Sequence, residues 1–140
     1  MNKSRLRDSD GCEEETSEGP LVSIVDDDVS VRRSTQRLLR CSGLRAEAFV
    51  SAEDFLQSGR AGETACLLLD VRMPEMDGLE LQRRLGETNR LIPIIFLSAR
   101  ASEEEERRAW RVGAADFLRK PVSKEVLLNA IRAALTRPTN

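Results

Sequence analysis

The stretch Cys66-Leu67-Leu68-Leu69-Asp70-Val71-Arg72-Met73-Pro74 runs from four apolar residues into a single carboxylate and then a proline. A short apolar run that stops at a turn signal reads as a strand buried on both faces, the habit of parallel sheets. Upstream, Leu21-Val22-Ser23-Ile24-Val25 ends in the same way on the acidic trio Asp26-Asp27-Asp28. If these runs are adjacent parallel strands, their terminal carboxylates meet at one edge of the sheet, where they could hold a divalent cation.

Three further apolar runs, at residues 46–50, 92–97 and 115–118, bring the expected strands to five. The segments between them have helical spacing. Val31, Thr35, Leu38 and Leu39 fall on one face of a first helix that Gly43 can close in a left-handed cap. Residues 51–58 form a short second helix, and Asp77-Gly78 opens a third with Leu81 and Leu85 one turn apart. Ser102 and Glu105 make a capping box for a fourth helix, whose first turn holds four glutamates and whose later turns hold Arg107, Arg108 and Arg111. The last helix is expected over residues 123–135, with Leu127, Ile131, Ala134 and Leu135 on one face.

This alternation calls for an α/β fold: a flavodoxin-like, doubly wound, five-stranded parallel sheet of strand order 2-1-3-4-5 with helices on both faces. Strands 1 and 3 are then neighbours at the switch point where such sheets place their ligands. One domain is expected over residues 21–136. Residues 1–20, polar and without hydrophobic period, read as a disordered charged N-terminal extension, and residues 137–140 as a C-terminal tail.

Composition removes several function classes. The 140 residues contain no histidine and no tyrosine, which excludes His-based triads, His metal ligands and a phosphohistidine carrier. Cys12, Cys41 and Cys66 form no CxxC pair, so neither a zinc site nor a disulfide framework is indicated. The net charge of -2 gives no expectation of direct nucleic-acid binding. No run approaches the roughly 18 apolar residues of a membrane span, and the basic start lacks an apolar signal core, so a cytoplasmic location with no membrane contact is expected.

Alone, the acidic trio reads as a solvated loop with Asp28 capping a helix; its pairing with Asp70 overturns that reading. Clustered carboxylates repel unless a cation neutralises them, and oxygen-only ligation with few protein ligands suits Mg2+. Lysine usage adds a clue. Of the 22 basic residues only three are lysine, and Lys120 stands directly beside Arg119, past the fifth strand and before Pro121. A slim ammonium is wanted there rather than a planar guanidinium. Ser98 ends the fourth strand, where its hydroxyl could bond a phosphoryl oxygen. Four strand ends thus bring Asp26, Asp27, Asp70, Ser98 and Lys120 to one edge.

The blocks Val25-Asp26-Asp27-Asp28, Asp70-Val71-Arg72-Met73-Pro74-Glu75-Met76-Asp77-Gly78, Pro93-Ile94-Ile95-Phe96-Leu97-Ser98-Ala99 and Gly113-Ala114-Ala115-Asp116-Phe117-Leu118-Arg119-Lys120-Pro121 resemble the receiver domain of two-component response regulators. Residues 29–39 and 51–56 look most like its FixJ-type subgroup. The resemblance implies that Asp70 is the phosphoacceptor for a sensor histidine kinase or a phosphotransfer protein. It implies Mg2+ on Asp27, Asp70 and the Arg72 carbonyl, with Asp26 helping through water. Lys120 and Ser98 would engage the phosphoryl oxygens. Phe117 would be the aromatic that moves inward when Ser98 is drawn to phosphate, biasing the face formed by helix 4, strand 5 and helix 5. A cis Lys120–Pro121 bond is implied too, against the trans default.

Such a domain catalyses only its own phosphorylation and dephosphorylation and is not otherwise an enzyme. Its signal would pass to a downstream effector or an output domain, with a phosphorylation-dependent homodimer as a further form. Only residues 136–140 follow the last helix, so the chain is expected to be either a stand-alone receiver or a trimmed one. The alternative function is a receiver-like interaction module that does not use phosphate. An aspartate-nucleophile phosphatase would carry a second Asp where Arg72 stands, and a P-loop nucleotide site would need a GxxxxGK segment that is missing. Arg72 and Arg100, each two residues past a site residue, flank the expected path of hydrolytic water and are expected to alter the lifetime of an acyl phosphate. Trp110 is read either as partly packed or as a contact on the signalling face.

Overall fold

The computed structural model describes residues 19–136, so the expected N-terminal extension lies almost wholly outside the described residues and the tail at 137–140 entirely so. The strands are β1 (Leu21–Val25), β2 (Arg45–Phe49), β3 (Thr64–Leu69), β4 (Ile94–Ser98) and β5 (Asp116–Arg119); the helices are α1 (Val29–Cys41), α2 (Ala52–Ser58), α3 (Gly78–Glu87), α4 (Glu103–Val112) and α5 (Lys124–Thr136). All pairings are parallel, and the strand order is 2-1-3-4-5. This is the doubly wound α/β architecture that the alternation demands.

Two apolar layers result from the period-2 geometry of the strands. Val25, Leu67, Leu69, Ile94 and Phe96 face one layer, filled from the helices by Phe55, Leu79, Leu81, Leu85 and Ala109. Val22, Ile24, Cys66, Leu68 and Ile95 face the other, filled by Leu39 from α1 and by Leu127, Leu128, Ile131 and Ala134 from α5. Burial on both faces is why the central strands read as continuous apolar runs. Leu67, Leu68 and Leu69 are at most 1% exposed, and each such side chain contributes about 2 kcal/mol by leaving water. Burial pushes the Cys66 thiol up to about 12, so it stays neutral and serves as a small hydrophobe.

Caps fix where the helices begin. Asp28 accepts from the Ser30 and Val31 amides, Ser51 from Asp54, and Asp77 from Glu80. The capping box of Ser102 and Glu105 is fully formed at α4. Gly43 takes the left-handed conformation (φ 86°) just past α1. Element boundaries shift by one or two residues from the sequence expectation. Strand β4 starts at Ile94 because Pro93 has no amide to donate, although its carbonyl accepts from Leu67 at 2.9 Å. Strand β3 starts two residues before Cys66, where the Thr64 hydroxyl meets the buried Ser23 hydroxyl at 2.8 Å. A 3₁₀ turn at Arg60–Glu63 was not indicated by any hydrophobic period. None of the described helices is long and apolar enough to cross a membrane.

Candidate functional site

The carboxyl ends of β1, β3, β4 and β5 close on one another through the last rungs of the sheet. Asp26 donates its amide to Phe49 at 3.2 Å, Asp70 to Val25 at 3.1 Å, and Lys120 to the Ser98 carbonyl at 3.0 Å. Each residue next to the site is therefore held by backbone before any side chain interacts. The Lys120–Pro121 peptide is cis.

Asp26, Asp27 and Asp70 each present a carboxylate oxygen within 4.8 Å of the other two, with Asp26 and Asp70 buried and Asp27 exposed. The Lys120 ammonium donates to Asp26 Oδ2 at 2.9 Å and stands 3.5 Å from Asp70 Oδ2. Asp26 also accepts the Asp28 amide on Oδ1 at 2.9 Å, and its carbonyl accepts from Arg32 at 2.9 Å. Asp70 is less well provided, with one amide from Arg72 at 3.3 Å. Burial pushes the Asp70 carboxyl above the ordinary aspartate range and the Asp26 charge adds to this, with partial relief from the Lys120 charge, the Arg72 amide and the Ser98 hydroxyl. For Lys120, burial works against the charged form, but the hydrogen bond to Asp26 and the charges of Asp70 and Asp26 outweigh it and raise the ammonium.

Three carboxylates against one ammonium leave a negative excess, and all the donors are oxygen. That donor set fits a small hard divalent ion, which prefers few carboxylates and keeps several waters. The three carboxylates line, or in the case of Asp26 adjoin, a cavity of about 350 Å3 whose other walls include Arg72, Ser98, Arg100 and Lys120. An ionised aspartate facing such a cavity is a nucleophile with room for an electrophilic phosphorus and with cations for the oxygens around it.

The sheet edge thus brings together all the residues that the sequence nominates there. Ser98 is fully buried, and its hydroxyl accepts the Arg100 amide at 3.4 Å. Phe117 is 7% exposed and already lies inward, its ring stacked on Phe96 at 5.6 Å between centroids. The two arginines behave differently from each other. Both are exposed, but Arg72 directs its guanidinium to Glu105 of α4 at 2.9 Å, while Arg100 lines the cavity beside Ser98. Trp110 is 45% exposed, with its indole N–H donating to Glu106 at 3.3 Å.

Sequence reasoning misses three contributors. Gly78 packs so tightly under Asp70 that a Cβ there would collide with the Asp70 carbonyl. Arg119 donates to the Ala101 carbonyl and to Glu106 at 2.8 Å, with its guanidinium 5.3 Å from the centre of the Phe117 ring. The Arg72–Glu105 pair joins residues 33 apart, a separation for which no local pattern exists.

Comparison with known proteins places these features in context. The family model described as "Response regulator receiver domain" matches residues 22–132. The response regulator protein TodT of Pseudomonas putida is 46% identical over 115 residues, which is 82% of this chain and 51% of TodT. Nodulation protein W of Bradyrhizobium diazoefficiens is 43% identical over 127 residues, 91% of this chain and 56% of that protein. The chain thus spans about half the length of the curated relatives it matches. Among solved structures, FixJ-N superposes with a TM-score of 0.79 at 34% identity, covering 88% of this chain and 98% of FixJ-N.

Proposed function

This chain belongs to the response regulator receiver domain family of two-component systems, and from that premise we propose that Asp70 accepts a phosphoryl group from a sensor histidine kinase or a phosphotransfer protein. The observation that carries the reading is the convergence of Asp26, Asp27, Asp70 and Lys120 in one cluster, from three different strand ends.

In this reading a carboxylate oxygen of Asp70 attacks phosphorus in line. The phosphorus–oxygen bond forms as the bond from phosphorus to the donor's histidine nitrogen breaks, and the electron pair leaves with that nitrogen. The product is an acyl phosphate. Asp26, Asp27, Asp70 and the backbone carbonyl of Arg72 would hold Mg2+, with Asp26 acting through water. Bound there, Mg2+ supplies neutralisation of the charge that phosphate and carboxylate accumulate together. The Lys120 ammonium moves from carboxylate to phosphoryl oxygen, a displacement its flexible stem permits. Ser98 engages a second oxygen, and Phe117 lines the route by which the change reaches α4, β5 and α5.

The readout is then protein–protein contact with a downstream effector or output domain, or a phosphorylation-dependent homodimer, in the cytoplasm and without direct nucleic-acid contact by this domain. Turnover is limited to the domain's own phosphorylation and dephosphorylation. The test is intact-mass analysis after incubation with acetyl phosphate and Mg2+. Wild type is expected to gain a single Mg2+-dependent phosphoryl adduct that Asp70→Asn lacks. No adduct, together with no binding of beryllofluoride, would overturn the reading in favour of a phosphate-independent interaction module.

A further inference from the structure

The first turn of α4 is gripped from two sides. From β5, Arg119 pairs with Glu106 at 2.8 Å and also donates to the Ala101 carbonyl in the loop that leads into the helix. From the loop after β3, Arg72 pairs with Glu105 at 2.9 Å. The second contact is unusual in its economy. The same Glu105 oxygen, Oε1, accepts both the Arg72 guanidinium and the Ser102 amide, each at 2.9 Å. One carboxylate oxygen therefore closes the capping box of α4 and tethers that helix to a residue two positions from Asp70.

We propose that Arg72 is a charge-operated latch on α4: when Asp70 acquires a phosphoryl group, Arg72 leaves Glu105 for the new anion and frees the first turn of the helix on that side. The inference rests on the phosphoacceptor reading above. Geometry places Arg72 for the exchange, because its amide already donates to Asp70 Oδ1 at 3.3 Å and the residue is part of the wall of the cavity that Asp70 and Lys120 also line.

Magnitudes favour the exchange. An exposed pair such as Arg72–Glu105, with side chains 51% and 22% accessible, holds weakly in water. A phosphoryl group brings a charge of about -1.5 to -2 and three strong acceptors, against the single charge of a carboxylate. Arg119 is positioned to keep its grip on Glu106, so release is one-sided and α4 has a pivot at β5. Glu105, once free of Arg72, keeps the Ser102 amide, so the helix shifts without losing its cap.

A thermodynamic cycle on the intact chain tests this, with Mg2+ and beryllofluoride as the phosphoryl mimic, Trp110 fluorescence as the reporter on α4, and 19F NMR as an independent reporter of binding. Glu105→Gln keeps the capping-box acceptor and removes the charge. It is expected to tighten beryllofluoride binding about twofold in the wild-type background, the scale of a lost surface ion pair. In the Arg72→Gln background it is expected to change nothing. Equal effects of Glu105→Gln in both backgrounds, with wild type binding normally by 19F NMR, would overturn the latch alone. Failure of wild type to bind the mimic at all would overturn the phosphoacceptor reading and the latch with it.

Discussion

The Cβ that Gly78 lacks would stand 2.3 Å from the carbonyl oxygen of Asp70. No real side chain tolerates that approach, so the residue opening α3 sets how closely the loop after β3 can fold back beneath the site. Gly78→Ala is expected to lose about 1–3 kcal/mol of stability, as overpacking does, and to slow phosphorylation by acetyl phosphate because Asp70 itself must move. Urea denaturation and the rate of adduct formation measure the two effects. A variant with unchanged stability and rate would remove Gly78 from the site's support.

Asp70 is ionised in a place that disfavours its charge, since its folded carboxyl lies above the ordinary range through burial first and the neighbouring Asp26 second. The sign follows from proton linkage. A raised carboxyl binds protons more tightly in the folded state, so its penalty is fully present above the folded pKa and fades as pH falls through it toward the unfolded value of 3.8. Asp70→Asn is therefore expected to stabilise the metal-free protein by about 1 kcal/mol at neutral pH. The gap should narrow on acidification, and adding Mg2+ should stabilise wild type more than the variant. Equal stability of the two proteins at pH 7 without metal would contradict the argument.

Lys120 has the opposite relation to the fold. Its side chain is 18% accessible and faces Asp26, which is 4% accessible. Lys120→Met leaves that buried carboxylate without its cation and is expected to cost about 2–3 kcal/mol at neutral pH. Because the folded Lys120 is raised, burial notwithstanding, its stabilisation is complete below the unfolded lysine pKa and disappears only as pH climbs through the higher folded value. Denaturation of wild type and variant at pH 7 and at strongly alkaline pH should find the gap closing in the alkaline samples.

Glu75 sits at φ 66°, in the left-handed region, within the loop between β3 and α3. A side chain there costs about 1 kcal/mol that glycine would not incur. Glu75→Gly should raise the denaturation midpoint while leaving adduct formation intact, and a lowered midpoint would mean that the Glu75 side chain carries some compensating interaction.

How much of this was legible in the sequence depended on whether the cause was local. Strand runs, the caps at Asp28 and Ser102, and the strand order all follow from periodicity, hydrogen-bond chemistry and crossover handedness, each acting over a few residues or on the whole alternation. The site was legible at one remove. Asp26, Asp27, Asp70, Ser98 and Lys120 could be placed at one edge because each ends a readable strand or lies within two residues of its end. The partners of Arg72 and Arg119 could not, because long side chains reach across loops whose geometry no pattern encodes. For Gly78 the helix-starting role was visible, but its clearance beneath Asp70 exists only once the loop is folded.

The hydrogen bond between Lys120 and Asp26 joins residues 94 apart in the chain. During synthesis from the N-terminus, the three carboxylates are made long before the ammonium that offsets them. A ribosome-bound chain that has not yet delivered β5 therefore carries an acidic cluster with neither its lysine nor the strand that holds it. Within this domain the site is therefore assembled late, because the ammonium that touches two of its carboxylates arrives just after the last strand.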